Sequence, residues 1–380
     1  MASDHRRAGE LSREGGDGSE VPPSVSSAPF GITRGGAVVC RHTLTGGGLV
    51  ARCLDYGGAV QALEVPDRQG QRENVLLGYD ALEGYEGDDC WCGVLCGPLA
   101  GRVAGASFEL EGKRYALEAN DSSSCLHGGS RGFSRRIWRS ETFVDGSAAG
   151  VRFSLDLSSE VEAFPGPRSV SATYTLSSGG VFSLLWEASG PEPLVLAPTF
   201  HGYFNLGGPA CPSVAEHVLF LDADRYMPLD EGHLPCVPES VAGTPFDFRT
   251  PRLLEDFFRS EHPQILRGAG SDHAFLFRQA SGGPQGILSH PESGRRLELF
   301  TDEPCAVVYS GGGLSSAAHF SAGRTGTPHL ALALEPQWYP NALGLPELPA
   351  PVRPPGIWRS RSTWRFSVMP PVQHSAPKFP

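Results

Sequence analysis

Short segments in which hydrophobic and polar residues alternate recur along the chain, and each ends in a cluster of turn-forming residues. Residues 108–111 alternate, Gly112 and Lys113 give a turn signal, and 114–117 continue, which is typical of a β-hairpin. Strict alternation also runs through 151–157. The same signal occurs, in whole or in part, at 60–65, 181–186 and 295–300. Many short strands joined by regular turns predict an all-β protein with a large antiparallel β-sandwich.

The composition agrees with this fold class, because glycine and proline both interrupt helices. The 380 residues include 48 glycines and 33 prolines, without the G-X-Y period of collagen. A few short helices are expected, near 81–85 and 253–258. The sequence has no continuous apolar run of about 18 residues, so we expect no membrane partner.

The two ends of the chain differ in composition from the interior. Residues 1–30 are rich in Gly, Ser, Glu and Arg, which bury little apolar area, so we expect a disordered N-terminal tail there. Residues 370–380 are expected to form a flexible C-terminal tail for the same reason. Since no long linker interrupts the rest, 31–369 is predicted to be a single domain.

The net charge indicates which classes of partner the protein can bind. The charge is −11, from 31 basic and 42 acidic residues, and no basic stripe is present. We therefore expect no nucleic-acid partner, and a neutral small molecule is the simpler expectation. We expect the protein to be a monomer or a weak homodimer.

The number and spacing of the cysteines bear on the cellular location of the protein and on metal binding. They number nine, they are scattered, and Met1–Glu20 lacks an apolar segment, so we expect free thiols and a cytoplasmic location. Cys90, Cys92 and Cys96 have no second cluster with which to complete a metal site, and we expect no metal.

The segment 329–338 places a carboxylate on a roomy strand face. In a strand, Leu330, Leu332 and Leu334 share one face, and His329, Ala331, Ala333 and Glu335 share the other. Small alanines beside Glu335 leave space above the sheet, and Pro336 places Glu335 at or near the strand end. The alternative is a surface glutamate on a half-exposed strand.

The segment 199–206 offers a second face with chemical character. Phe200, Phe204 and Leu206 fall on one side, and Thr199, His201, Tyr203 and Asn205 fall on the other. A carbohydrate site needs such a mixture, because polar groups bind hydroxyls and an aromatic ring covers the ring C–H groups. A structural histidine on a polar exterior face is the alternative.

Three weaker candidates lie in predicted loops. His127 precedes two glycines, which allow a close approach to a ligand. Arg102 follows Gly101 and offers a forked cation. Asp272 precedes an apolar run. Each of them also suits an ordinary turn residue.

These segments, in this order, resemble the galactose mutarotase (aldose 1-epimerase) family over about residues 35–368. The most specific motifs are CLHGGSRGF at 125–133, TFHGYFNL at 199–206 and LEPQW at 334–338. Supporting stretches are DRQGQRENVLLGYDALEGY at 67–85, residues 101–108, DADRYMPLD at 222–230, GTPFDFR at 243–249 and SDH at 271–273.

The resemblance implies a fold and roles for particular residues. It implies a large antiparallel β-sandwich with a sugar in an open cleft, Glu335 as catalytic base and His201 as catalytic acid. Arg102, His127 and Asp272 match the substrate-binding positions of the family, and Tyr203 is expected to contact the sugar through its ring. Mutarotation transfers protons and no electrons, so no cofactor is expected.

The expected reaction opens and recloses a hemiacetal. Glu335 takes the proton of the C1 hydroxyl while His201 protonates the ring oxygen, and rotation about C1–C2 precedes closure. His201 must then be protonated, which a neighbouring carboxylate would favour.

Three positions depart from the family pattern. Gly101 stands where the family usually has Asn, Pro98 where it frequently has Arg, and Val307 where some members have Gln. Their effect falls on the choice and affinity of the sugar.

Three other functions stay open at this stage. A hexose-phosphate 1-epimerase of the same superfamily needs a basic cluster for phosphate, for which Arg131, Arg135 and Arg136 are available. A non-catalytic sugar-binding protein does not need the pair of Glu335 and His201. A glycoside hydrolase needs paired carboxylates rather than a glutamate and a histidine.

Overall fold

The protein is built from three larger antiparallel sheets and four two-stranded ones, over the residues that the computed structural model describes, 22–157, 164–165, 168–278 and 282–370. The five-stranded sheet runs in chain order: β1 (Ser24–Ile32), β2 (Val38–Gly46), β3 (Leu49–Leu54), β4 (Val60–Pro66), β5 (Arg72–Asn74). The two-stranded sheets pair β6 (Leu95–Cys96) with β16 (Thr199–Phe200), β7 (Arg102–Val103) with β10 (Cys125–Leu126), β8 (Ser107–Leu110) with β9 (Lys113–Ala116), and β15 (Leu194–Val195) with β27 (Val352–Arg353).

The two widest sheets carry the rest of the strands. Nine strands of the described chain form one sheet, in spatial order β11 (Arg139–Asp145), β12 (Ala148–Leu157), β13 (Arg168–Ser177), β14 (Val181–Gly190), β28 (Gly356–Val368), β24 (Arg295–Thr301), β23 (Gly286–Ser289), β18 (Val218–Leu221), β21 (Arg252–Leu253). Six form the other, in the order β17 (Tyr203–Phe204), β26 (Leu332–Gln337), β25 (Cys305–Tyr309), β22 (Asp272–Phe277), β19 (Ala223–Tyr226), β20 (Glu239–Ser240).

Helices are few and short in the described residues. They are α1 (Leu82–Glu86), α2 (Leu254–Phe258) and α3 (Pro263–Arg267), with 3₁₀ turns at 104–106, 129–131, 133–135, 321–323 and 342–344. The predictions near 81–85 and 253–258 are confirmed, whereas α3, which begins at a proline, was not predicted from the sequence. None of these helices has the length and apolar character needed to cross a bilayer.

The main core lies between the nine-stranded sheet and the other two large sheets. It joins Leu44 of β2, Phe153 of β12 and Leu332 of β26, all of them fully buried. The alternating pattern of β12 agrees with this packing, because its inward residues are buried and its outward ones are more exposed. The predicted all-β sandwich and the hairpin of β8 and β9 are confirmed.

The predicted N-terminal tail, residues 1–30, extends too far, because its last residues form a strand. Residues 24–30 belong to β1, which pairs with β2 from Ser24 opposite Thr45 to Ile32 opposite Val38. Pro29 does not prevent pairing, because β1 lies at the edge of its sheet, where a missing N–H is tolerated. Residues 1–21 and 371–380 lie outside the described residues.

An aromatic cluster joins β28 to β14 and to β16, with which the segment 199–206 begins. The ring of Trp364 lies 5.6 Å from that of Phe182 and 5.5 Å from that of Phe200, measured between centroids. Trp364 is fully buried, and its indole N–H finds no hydrogen-bond partner among the described residues. The ring therefore stabilises the core by packing alone.

Replacing this ring tests the core. We expect Trp364→Ala to lower the free energy of unfolding by about 3–5 kcal/mol, because it leaves a large cavity. Trp364→Phe should cost clearly less, since it keeps an aromatic ring and removes the unpartnered N–H. Urea denaturation measures both, and equal losses in the two variants would contradict the assignment of Trp364 to packing.

Candidate active site

The pairing of β17 with β26 brings a histidine and a glutamate together. Tyr203 lies opposite Ala333 and Phe204 opposite Leu332. His201 lies two residues before this pairing on its segment, and Glu335 lies two residues after it on β26. His201 Nε2 and Glu335 Oε1 lie 3.5 Å apart, and the two side chains are only 5% and 2% exposed. The two residues proposed to be acid and base therefore face each other in the same cavity.

Neighbouring strands extend this face into a floor. Val307 of β25 lies opposite Glu335, and Ala274 of β22 lies opposite Val307. In the next row, Asp272 lies opposite Tyr309. Because alternate residues share a face of a sheet, these side chains line one cavity of about 180 Å³ together with His201 and Tyr203.

An arginine with two acidic partners forms part of the cavity wall. Arg102 begins β7, and its Nε lies 2.7 Å from Asp121 Oδ2. Its Nη1 lies 3.6 Å from Asp272 Oδ2. The guanidinium is thus held between two carboxylates, which fixes its orientation towards the cavity that it and Asp272 line.

His127 is oriented by a loop that requires glycine. The backbone N–H of Gly101 donates to His127 Nδ1 at 3.2 Å, so the neutral imidazole carries its proton on Nε2. His127 has a φ of 52° and Gly128 a φ of 85°. A Cβ on Gly128 would lie 2.2 Å from the carbonyl oxygen of Gly97, which only glycine avoids. The LHGG motif is thus a geometric requirement of this turn.

A buried aspartate holds a tryptophan over the cavity. Asp88 accepts hydrogen bonds from the backbone N–H of Cys90 at 2.8 Å and of Cys92 at 2.6 Å, on either side of Trp91. Trp91 has a φ of 53°, and its ring lies 4.9 Å from that of His127. The Tyr203 hydroxyl donates to the carbonyl of Cys90 at 3.0 Å, so the tyrosine offers its ring rather than its hydroxyl to a ligand.

All six predicted site residues line this one cavity. They are Arg102, His127, His201, Tyr203, Asp272 and Glu335. Their roles remain predictions, because position alone does not assign chemistry. The predicted polar face of 199–206 is wrong in part, since the strand breaks at His201 and Gly202 and Asn205 binds the carbonyls of Cys211 and Leu330 instead.

The sequence reading missed several side chains of the cavity. They include Trp91, His233, Tyr309 and Gln337. Gln337 lies in the LEPQ motif, and both polar atoms of its buried side chain find no partner among the described residues. The motif itself was the signal for Gln337, whereas the other three come from segments whose pattern marks them only as loop or strand residues.

Burial dominates the electrostatics of the pair. It lowers the pKa of His201 to about 4 and raises the pKa of Glu335 well above its ordinary value, with a further rise from Asp272. The pKa of His127 is lowered well below its ordinary value by burial and by the nearby His201 and Arg102. The expected carboxylate beside His201 is present, yet a neutral imidazole beside a protonated carboxyl is favoured over the ion pair.

Known proteins resemble this chain along most of its length. A family model described as aldose 1-epimerase matches residues 41–363. The galactose mutarotase of Homo sapiens is 34% identical over 354 residues, which cover 91% of this chain and 99% of that protein. The aldose 1-epimerase of Escherichia coli K12 is 30% identical over 329 residues, which cover 84% and 92%.

Solved structures share the fold. A galactose 1-epimerase from Lactobacillus acidophilus NCFM matches with a TM-score of 0.80 at 26% identity, over 92% of this chain and 100% of that one. A GalM/aldose epimerase homologue from C. elegans matches with a TM-score of 0.77 at 26% identity, over 85% and 97%. The residues that the family model matches, 41–363, include every residue of the cavity described above.

The pKa of His201 can be tested directly. We expect its imidazole to remain neutral at pH 6 and to bind a proton only near pH 4, because burial disfavours the cation. Histidine ¹⁵N NMR over pH 3.5–8, assigned with a His201→Gln variant, measures this. Because the pKa of His201 is lowered, the neutral imidazole persists as the pH falls below 6.5 and is lost only near pH 4. Titration at or above about 6.5 would contradict it.

Proposed function

We infer that this chain, which belongs to the aldose 1-epimerase family, is an aldose 1-epimerase that interconverts the α and β anomers of hexoses such as galactose and glucose. The observation that carries the proposal is the contact between His201 and Glu335, both buried, on the floor of one cavity. Mutarotation needs one group that removes a proton and one that supplies a proton on a single pyranose.

We propose that Glu335 and His201 transfer these protons. Glu335 takes the proton of the C1 hydroxyl while His201 protonates the ring oxygen, and the C1–O5 bond breaks to give the open aldehyde. The carboxyl is then protonated and the imidazole neutral. Rotation about C1–C2 presents the other face, and the reverse transfers close the ring to the other anomer.

The protonation state favoured by burial matches one stage of this cycle. A neutral imidazole beside a protonated carboxyl is the state that accompanies the open-chain sugar in the scheme above. The ring-closed stage needs the carboxylate and the imidazolium, and hydrogen bonds from sugar hydroxyls to the carboxylate stabilise that charge. In ring opening His201 gives up one proton and Glu335 gains one, so a turnover requires no net uptake of protons from solvent.

The remaining polar groups of the cavity suit sugar hydroxyls. We propose that Arg102, His127 and Asp272 bind hydroxyls, and that the ring of Tyr203 packs against the ring C–H groups. His127 has its Nε2–H available because Gly101 occupies Nδ1. Fixing the pyranose in this way holds C1 and O5 between the acid and the base.

The cavity gives little support to a phosphorylated substrate. Its arginine, Arg102, already faces Asp121 and Asp272. Of the three arginines proposed for phosphate, none lines the cavity in the described part of the chain, and Arg135 donates instead to the carbonyls of Tyr85 and Asp88. A non-catalytic sugar-binding role does not account for the contact between His201 and Glu335.

Other properties are proposed from the sequence alone. We propose a cytoplasmic enzyme, for which the nine free cysteines are the support. We propose a single mutarotase-like domain ending at residue 369, and a monomer or weak homodimer.

Replacing the proposed base tests the mechanism. We expect Glu335→Gln to fold normally and to lose at least ~10² in kcat, because an amide cannot accept the proton. Polarimetry on fresh α-D-galactose and α-D-glucose measures it. The matched control is Glu303→Gln, another buried glutamate whose pKa is raised by burial and which binds Ser360 outside the cavity. Wild-type mutarotation in Glu335→Gln would refute the assignment of the base.

A substrate comparison separates the two epimerase functions. We expect anomer exchange on galactose and glucose to exceed that on glucose 6-phosphate, because Arg102, the arginine that lines the cavity, is already paired with Asp121 and Asp272. Saturation-transfer NMR between anomers measures all three sugars under the same conditions. A higher kcat/KM for the phosphate ester would favour the hexose-phosphate epimerase.

A further inference from the structure

Three side chains of the types that bind metal ions meet in a second cavity, which is lined by different residues from the first. Glu216, His290 and Glu292 each offer one nitrogen or oxygen atom, and these atoms lie within 4.8 Å of one another. The cavity has a volume of about 510 Å³ and shares no lining residue with the Glu335 cavity, over the residues that the structure describes. The cluster therefore plays no part in the proton transfers proposed above.

One nitrogen of the His290 imidazole lacks a partner. His290 is only 3% exposed, and its Nε2 has no hydrogen-bond partner among the described residues. Its Nδ1 lies 3.0 Å from Ser293 Oγ, whose own hydrogen goes to the carbonyl of Leu206 at 3.0 Å. Ser293 Oγ can therefore accept a proton from Nδ1, and the tautomer with its proton on Nδ1 has a lone pair on Nε2 for a metal.

One hydrogen bond acts against this tautomer, and two nearby arginines, Arg68 and Arg295, act against a bound cation. The backbone N–H of Ser293 donates to Nδ1 at 3.2 Å, which favours a proton on Nε2, so a metal on Nε2 must displace this hydrogen bond. Arg295 lines the cavity as well, but it lies 3.0 Å from Glu73 and 3.9 Å from Asp67. Its charge is therefore largely compensated locally.

The net charge of the lining favours a cation. The acidic residues that line the cavity are Asp67, Glu73, Glu216, Glu255 and Glu292, against one arginine, Arg295. Glu216 and Glu292 are exposed, so their side chains can rotate to close a coordination sphere.

We propose that Glu216, His290 and Glu292 form a binding site for one divalent transition-metal ion, with Zn²⁺ as the ion that fits best. An imidazole nitrogen with two carboxylates is a donor set that Zn²⁺ accepts at about 2.0–2.2 Å. Ca²⁺ and Mg²⁺ prefer all-oxygen sites and gain nothing from the imidazole. Three protein ligands leave a fourth position for water.

The site would join two segments that follow different strands. Glu216 lies in the connection between β17 and β18, and His290 and Glu292 lie in the turn between β23 and β24. The expectation of no metal rested on the cysteines, and the sequence shows no motif for this site because Glu216 lies far along the chain from His290 and Glu292. A bound ion stabilises the folded protein through the link between the two segments.

Equilibrium dialysis with Zn²⁺ at pH 7 tests the proposal on the full chain. Wild type is compared with Glu216→Gln, Glu292→Gln and the double variant, whose exposed positions leave the core untouched. The matched control is Glu255→Gln, a glutamate that lines the same cavity outside the cluster. Thiols and the Glu335 cavity bind any additional Zn²⁺ equally in all five proteins, so the difference between them reports this site.

We expect wild type and Glu255→Gln to bind one more Zn²⁺ per chain than the double variant. Each single variant should bind that ion about tenfold more weakly or worse. Millimolar Ca²⁺ should not displace it, and mutarotation should be the same in all five proteins, which separates this site from the proposed active site. Equal Zn²⁺ binding by wild type and the double variant, or displacement by Ca²⁺, would overturn the proposal.

Discussion

The register between β17 and β26 is the constraint on which the rest of the site depends. The side chains of a strand alternate between its two faces, so a slip of one residue would turn Glu335 into the core and bring Leu334 into the cavity. Two side-chain hydrogen bonds join the same two segments on either side of this strand pairing. Thr199 Oγ1 donates to the carbonyl of Pro336 at 2.9 Å, and Asn205 Nδ2 donates to the carbonyl of Leu330 at 2.7 Å. The leucines of β26, buried against the nine-stranded sheet, supply the apolar part of the same constraint.

Burying an acid and a base together has an electrostatic consequence. Each group alone is driven towards its neutral form by the loss of water, and their mutual attraction opposes this. In the free protein burial prevails and favours the neutral pair, so in the proposed mechanism the hydrogen bonds of a bound sugar supply the stabilisation that the ion pair needs. A solvent-exposed pair would have ordinary pKa values and would exchange its protons with water instead.

The sequence predicted the strands well and the walls of the cavity poorly. Alternation found β4, β12, β14 and β24, because each has one face in the core. It also placed Glu335 on the face of small alanines. Periodicity could not show that His201 and Glu335 pair, since register between distant strands is a tertiary property; family resemblance supplied that expectation. Trp91 escaped detection because its position depends on Asp88 and on a positive φ, neither of which leaves a periodic signal. The expected tail reached too far because edge strands tolerate proline and polar residues.

In the proposed function, the departure at Gly101 bears on the choice of sugar and not on the acid–base pair, for a reason that lies in the backbone. Gly101 has a φ of 74°, a conformation that asparagine, the residue usual in the family, also adopts readily. It is the backbone N–H at this position, and not a side chain, that binds His127 Nδ1 and sets its tautomer. Glycine and asparagine therefore orient His127 equally. What glycine removes is an amide group at the edge of the cavity, and with it one means of choosing between hexoses that differ in a single hydroxyl.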